Sequence, residues 1–498
     1  MKKLMIPIIL FVFALVLRLV PLFQNAVSFH YDMARDAFVA QKIIHGDLKI
    51  MGPPSSTPGL SHGVLYYYLL ALLYLIGNGN PIFVSAALSI LSSLSVFPIY
   101  FLAQEFFKDR KMGILAGILF TVSFEATQYA SWISNPSLAL PCLAFYFYGL
   151  WLWKNGKASG FLLAIVSAVL ATQFQLFLST LFIHIFLFWV IFKTKINLKN
   201  FILAILIILI GFSSYLFAFW KFGTFSQIWS IISQRIPTNQ FAFRIQFTDV
   251  FLYYINRFAD TYINNFFPSN VLLGGILGII SLVIAGSSSF VLFTLFASLP
   301  IFVFGGHNSN YVNLGMLFPA IMSVLILYKM ALKKNKIVAS LILLAIFGSN
   351  IYTLIKLSPR GQLSMVIPKD MVLNKQLSLI DKTYEVAAGR PFSINTLTLP
   401  LWVNTTWSYL YGWYGKAKYG YLPSFYGHDQ VGSEGDGVLP ENTSPTNPAF
   451  YIIEPQDGIP GNLITSELSS ENAKTRIVNQ YNYGTLILQE RRVLNKTP

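Results

Sequence analysis

Apolar residues run through the first 355 positions in long blocks, and polar residues gather between the blocks. Blocks at about 4–23, 81–103, 112–131, 137–153, 158–174, 176–192, 201–220, 270–286, 288–304, 311–331 and 337–355 reach or approach the ~20 residues a helix needs to cross a bilayer. The pattern predicts an α-helical polytopic membrane protein with about eleven spans. The interval 158–192 carries no charge and is interrupted only by "QFQ" (173–175), so it reads as two short helices or one long tilted one. "HGVLYYYLLALLYLIG" (62–77) is apolar for only about fourteen residues. That is short for a span, and the tyrosine triplet Tyr66, Tyr67 and Tyr68 suits the membrane interface, so a helix lying on the surface is predicted.

After residue 355 the pattern changes. "PKDMVLNKQLSLIDKTYEVAAG" has the spacing of an amphipathic helix with a glycine stop. "PFSINTLT", "AFYIIEP" and "GTLILQERRV" read as strands, and "LPSFYGHDQVGSEGDGVLPENTSPTNP" reads as a loop. The predicted division is a membrane domain over 1–355 and a soluble α/β domain over 356–498. The aromatic run over 402–426 is expected to supply core and interface for that small domain.

Composition agrees with the pattern. Of 498 residues 55% are hydrophobic and only 11% are charged, against about 25% charged in soluble domains. A net charge of +15 would suggest nucleic acid until the positions are read. Lys and Arg concentrate in short connections such as "KDRK" (108–111) and the lysines at 329, 333, 334 and 336, whereas the tail is nearly neutral. By the positive-inside rule the excess is an orientation signal. It places the start in the cytoplasm and everything after residue 356 outside, with outer loops over 24–80, 221–269 and 305–313, and the expected location is a prokaryotic cell membrane. The partners implied are a lipid bilayer and no nucleic acid. The single cysteine, Cys142, excludes an intrachain disulfide and a cysteine-rich metal site.

Charge is scarce, yet "HYDMARDAF" (30–38) places Asp32, Arg35 and Asp36 together just after the first apolar block. On a helix the three share one face. A carboxylate there can act as general base toward an acceptor hydroxyl or amine, or as a metal ligand; Arg35 can hold one of the pair ionised. A surface ion pair is the plain alternative. Glu125 lies near the outer end of the third block, and an acid at membrane depth is a functional candidate. Phosphate recognition calls for arginine, whose planar donors grip two oxygens. Arg235, Arg244 and Arg257 in the second long loop are candidates, with Arg18 reaching outward from the first span.

The order of "YD" (31–32), Ala40, Gly46, "SHGVLYYYL" (61–69) and "AQEFFKDRK" (103–111) resembles polytopic glycosyltransferases of the GT-C class. The bacterial relatives of protein O-mannosyltransferases and lipid A aminoarabinose transferases are most similar. The resemblance implies a polyprenyl-phosphate-linked sugar donor, an extracytoplasmic acceptor, and Asp32 as base. Asp36 then serves as partner or metal ligand, because Met33 stands where the family has its second acid. A divalent metal ion held by Asp32 and Asp36 is the cofactor the resemblance allows. His62 matches the family's histidine, and His307 and Tyr311 in "GGHNSNYVNLGMLFP" match a later loop. Where the family often carries an Arg and an acid this chain has Trp132 and Asn135, and Asn135 is a further candidate. The expected activity is transfer of a hexose or pentose with inversion. The alternatives are an oligosaccharide polymerase or ligase, and a non-enzymatic transporter or scaffold.

Overall fold

The computed structural model describes residues 4–55, 60–223, 247–300, 315–357 and 368–494. Helices occupy most of the chain up to 357: α1 (Met5–Leu19), α2 (Tyr31–Ile44), α3 (Leu65–Ile76), α4 (Pro81–Ser93), α5 (Val96–Phe107), α6 (Arg110–Val122) and α7 (Phe124–Ser131) come first. They are followed by α8 (Asn135–Lys154), α9 (Ala158–Phe174), α10 (Leu181–Phe192), α11 (Leu198–Gly211), α12 (Ser213–Phe222), α13 (Phe247–Phe266), α14 (Val271–Ala285), α15 (Ser289–Leu295), α16 (Leu317–Lys334) and α17 (Lys336–Leu357). The remainder holds α18 (Leu373–Ala387), β1 (Ser393–Leu397), α19 (Thr405–Leu410), β2 (Ser424–Phe425), β3 (Ala449–Ile453), α20 (Gly461–Lys474), β4 (Thr475–Tyr483) and β5 (Leu486–Val493).

Among the described residues four helical stretches are long and apolar enough to cross a membrane: Met5–Gln24, Pro81–Phe107, Asn135–Lys154 and Lys336–Leu357. The bent pairs α11–α12 and α13–α14, at 49° and 115°, raise the number to six if each is one span. The segment predicted to lie on the surface forms α3, twelve residues and ~18 Å long at 1.5 Å per residue, short of the ~30 Å apolar core.

The chain divides into two compact units, and neither is a single stretch. The first comprises 1–20, 48–69 and 86–358; the second comprises 21–47, 70–85 and 359–498. The acidic segment, which the sequence groups with the membrane helices, therefore clusters with the tail.

The first unit is a helix bundle in which α8 and α9 pack tightly along their length. A Cβ on Gly149 would stand 2.8 Å from the Ala164 amide nitrogen, and one on Gly160 2.4 Å from that of Trp153, so only glycine permits this approach. The block read as one span over 112–131 is broken: α6 stops at Val122, and Ser123 at ψ 118° starts α7, its hydroxyl accepting from the Ala126 N–H. Ser123 and Asn197 act alike here, their side-chain oxygens taking up amides that a helix start leaves unpaired.

The second unit is built on a five-stranded sheet ordered β2-β1-β3-β5-β4. β1 lies parallel to β2 and β3, while β5 is antiparallel to β3 and β4. Every residue of β1 and of β3 is buried, as expected of central strands covered on both faces. Leu397, Tyr451 and Ile453 form its apolar core, with Ile464 and Leu468 of α20 packed against them. The aromatic run over 402–426 belongs largely to the interior, with Trp407, Tyr409 and Tyr411 at most 1% exposed.

Candidate functional site

In the second unit α2 begins after His30, which sits in extended backbone at φ −138°. The helix has its apolar residues Met33, Ala34, Ala37, Phe38 and Ile43 buried, and this fixes which way its charges point. Asp32, Arg35 and Asp36 do share one face. Arg35 donates from Nη1 to Asp32 Oδ1 at 2.7 Å, and from Nε and Nη2 to Asp36 Oδ1 at 2.9 and 2.8 Å. The two acids differ sharply in access: the Asp32 side chain is 59% exposed and that of Asp36 only 5%. One buried carboxylate thus orients the guanidinium, which in turn holds the exposed carboxylate through a single oxygen. Arg35 also lies 5.7 Å from the centre of the Tyr31 ring.

His30 was not singled out from the sequence. Its ring is partly buried beside this triad, and desolvation pushes its imidazole below the ordinary value; the Asp32 carboxylate works against that and the Arg35 guanidinium adds to it. The Tyr31 hydroxyl is pushed up by burial, with Arg35 opposing. Among the described residues no group of three or more His, Cys, Asp or Glu stands close enough together to hold a metal ion. Asp32 and Asp36 each spend an oxygen on Arg35, so the pair is arranged around a guanidinium.

The first unit gathers a second polar centre. Glu125, in the first turn of α7, accepts from Asn265 Nδ2 on Oε2 at 2.6 Å, and Arg257 Nη2 lies 4.0 Å from its Oε1. Arg257 also binds Asp260 at 2.9 Å. Arg257, Thr261 and Asn265 are spaced four apart along α13 and line one buried stripe. Ser123 donates to Asn265 Oδ1, and Asn350 of α17 accepts from the Phe124 N–H at 2.9 Å while donating to the Asn265 and Phe266 carbonyls. The break between α6 and α7 is thereby clamped by side chains from α13 and α17. Asp260, Asn265 and Asn350 were missed in the sequence; polar residues at helical spacing in "NRFADTYINN", and a lone amide in the apolar run of α17, are the signals that point to them.

Other predicted residues make hydrogen bonds within the first unit. Arg18 does not reach outward: it is fully buried, donating to the Ala14 carbonyl at 3.1 Å and to the Phe120 and Thr121 carbonyls at 3.4 Å, with its guanidinium 4.7 Å from the Phe120 ring centre. The end of α6 leaves those carbonyls without helical partners, and Arg18 takes them up. His62 accepts from the Leu176 N–H on Nδ1 at 3.1 Å, holding the stretch after α9. Asn135 donates to the Phe174 carbonyl at 2.7 Å and to Gln175 at 3.0 Å, tying the start of α8 to the end of α9. Arg235, Arg244, His307 and Tyr311 lie outside the described residues.

No family model matches the chain, and no curated protein matches it. Solved structures do. ArnT from Cupriavidus metallidurans bound to undecaprenyl phosphate superposes with a TM-score of 0.57 at 9% identity, covering 98% of each chain. The apo state of the same ArnT gives 0.55, again at 9% identity, over 97% of each chain. The fold of this chain is thus that of ArnT nearly end to end, from the helical membrane body to the sheet-bearing tail.

Proposed function

We propose that this protein is an integral-membrane glycosyltransferase that takes a sugar from a polyprenyl-phosphate carrier and passes it to an extracytoplasmic acceptor. The observation that carries the reading is the Asp32 carboxylate: exposed, held on one oxygen by Arg35, and carried by a fold shared with a protein bound to undecaprenyl phosphate. The GT-C resemblance of the surrounding sequence supports it independently.

In this reading Asp32 accepts the proton of the acceptor hydroxyl or amine through Oδ2, which lies outside its ion pair with Arg35. The acceptor atom attacks the anomeric carbon as the bond from that carbon to the phosphate oxygen breaks, so one displacement inverts the configuration. The polyprenyl phosphate leaves with the electron pair, and charge developing on it needs a cation. The sequence candidates for that cation are Arg235, Arg244 and Arg257. Asp36 keeps Arg35 in place and touches no substrate. No step runs through a metal ion.

The test uses membranes containing the full chain, supplied with radiolabelled polyprenyl-phosphate mannose or arabinose, and counts label moved from lipid to acceptor. Asp32→Asn is expected to lower transfer by ~100-fold or more at unchanged protein level, the scale of a lost general base. Full transfer by that variant removes Asp32 as base, and absence of transfer from any donor by the unaltered protein removes the activity.

A further inference from the structure

We propose that Tyr409 is the positioning residue through which the sheet domain sets the orientation of the acidic helix α2. The inference rests on the proposed role of Asp32 for its kinetic arm only. Within the second unit, α2 is fixed at both ends by the tail. Before the helix, the Phe29 N–H donates to the Met371 carbonyl at 3.0 Å and the Leu373 N–H to the Val27 carbonyl at 2.8 Å. Gln376 of α18 adds its Nε2 to the Phe29 carbonyl at 2.8 Å. Near the far end, Lys42 pairs with Glu434 at 2.9 Å.

Between those anchors stands the side chain of Tyr409. Tyr409 is 1% exposed, and its ring meets Phe29 at 5.4 Å, Phe38 edge-on at 5.3 Å and Tyr74 at 6.2 Å between centres. Its hydroxyl donates to the Gly79 carbonyl at 2.7 Å, in the turn between α3 and α4. Phe29 and Phe38 bracket Asp32 and Asp36 in the chain, and at 100° per residue Phe38 lies about 120° round α2 from Asp32 and about 160° from Asp36. A rotation of α2 that moved Asp32 would have to move Phe38 past this ring.

Tyr409 is itself held firmly. Two residues earlier on α19, pointing the other way, Trp407 donates from Nε1 to Glu454 at 2.9 Å, immediately beyond β3. The path from the end of β3 through Glu454, Trp407 and Tyr409 to Phe38 is continuous and buried. Edge-on aromatic contacts constrain angle as well as distance, which an aliphatic filler of similar bulk does not.

The experiment compares Tyr409→Phe, Tyr409→Leu and Phe38→Leu in the full chain. Phe keeps the ring and should stay within ~3-fold of the unaltered protein in kcat. Tyr409→Leu should lower kcat by ~10- to 100-fold while the donor KM moves less than ~3-fold, the pattern of a displaced catalytic group. Phe38→Leu approaches the same contact from α2 and should give the same pattern, which serves where Tyr409→Leu does not accumulate. The double variant should lose no more than the worse single one, because the two act as a unit. Hydrogen exchange gives a readout free of activity: amides of α2 should exchange ~10-fold faster in either leucine variant, with β1 and β3 unchanged. Unchanged kcat in the leucine variants, independent losses in the double variant, or exchange that quickens equally in α2 and the sheet overturns the proposal. If the unaltered protein transfers nothing, the proposed function fails and the exchange arm alone decides this one.

Discussion

Two carboxylates four residues apart on α2 illustrate how burial, rather than spacing, separates roles. The sequence places Asp32 and Asp36 on one face, and the structure then makes one 59% exposed and the other 5%. Spacing alone could not tell them apart, since the difference comes from what packs over the helix. A second buried acid, Glu454, makes a residue-scale prediction possible. It accepts from the Leu399 N–H and from Trp407 Nε1, both at 2.9 Å, yet burial outweighs these bonds and raises its carboxyl from 4.5 to about 7. The unfolded chain releases this proton near pH 4.5 and the folded one only near 7. Between those values the folded state binds more protons, so stability falls as pH rises through the window and is flat above it. At 1.36 kcal/mol per pH unit the loss is on the order of 3 kcal/mol. Thermal unfolding in detergent between pH 5 and 8 measures it. Glu454→Gln should flatten that part of the profile, and an equally steep profile in the variant would assign the effect elsewhere.

At the scale of elements, the sequence reveals those whose patterning is local. The regions read as strands contain β1, β3 and β5, and the amphipathic stretch after 368 contains α18, because each concentrates apolar residues at its own period. β4, "TRIVNQYNY", escapes: it is an edge strand exposed over most of its length, so no alternation marks it. The interruption of the third apolar block at Ser123 escapes for another reason. Its cause is remote, lying in Asn350 and Asn265, which are 226 and 142 positions away from their partners Phe124 and Ser123. This gives a prediction about the break. Asn350→Leu preserves bulk but leaves the Phe124 N–H and the Asn265 and Phe266 carbonyls without that partner, at about 1–3 kcal/mol for a stranded buried group in general and about 0.6 per bond within membranes. A loss of about 2 kcal/mol is expected in denaturant titration of the detergent-solubilised protein. Undiminished stability would mean that the clamp is dispensable.

For the whole molecule the least legible feature is the discontinuity of the second unit. Nothing local in residues 21–47 or 70–85 announces that they pack with a domain beginning some 300 positions later; the pairings are between Val27 and Leu373, Phe29 and Met371, and Tyr74 and Tyr409. The sequence reading instead divides the chain at 355, with residues 356–498 as a domain of their own. The structure makes a cut there costly. Met371 and Leu373 are fully buried and Tyr409 nearly so, and segment 21–47 supplies part of what covers them. Residues 368–494 expressed alone should therefore expose an apolar face and leave the Met371 carbonyl and the Leu373 N–H unpaired. We expect a fragment that keeps strand signals in far-ultraviolet dichroism, loses the near-ultraviolet aromatic signal, and binds a hydrophobic dye, as compact states with unfixed packing do. Adding a synthetic peptide of residues 24–47 should restore part of the aromatic signal, since it returns Phe29, Phe38 and the strand-like pairing at Ser28 and Val372. A fragment that is fully ordered without the peptide would show that the acidic helix leans on a domain that does not need it, and the dependence would then run in one direction only.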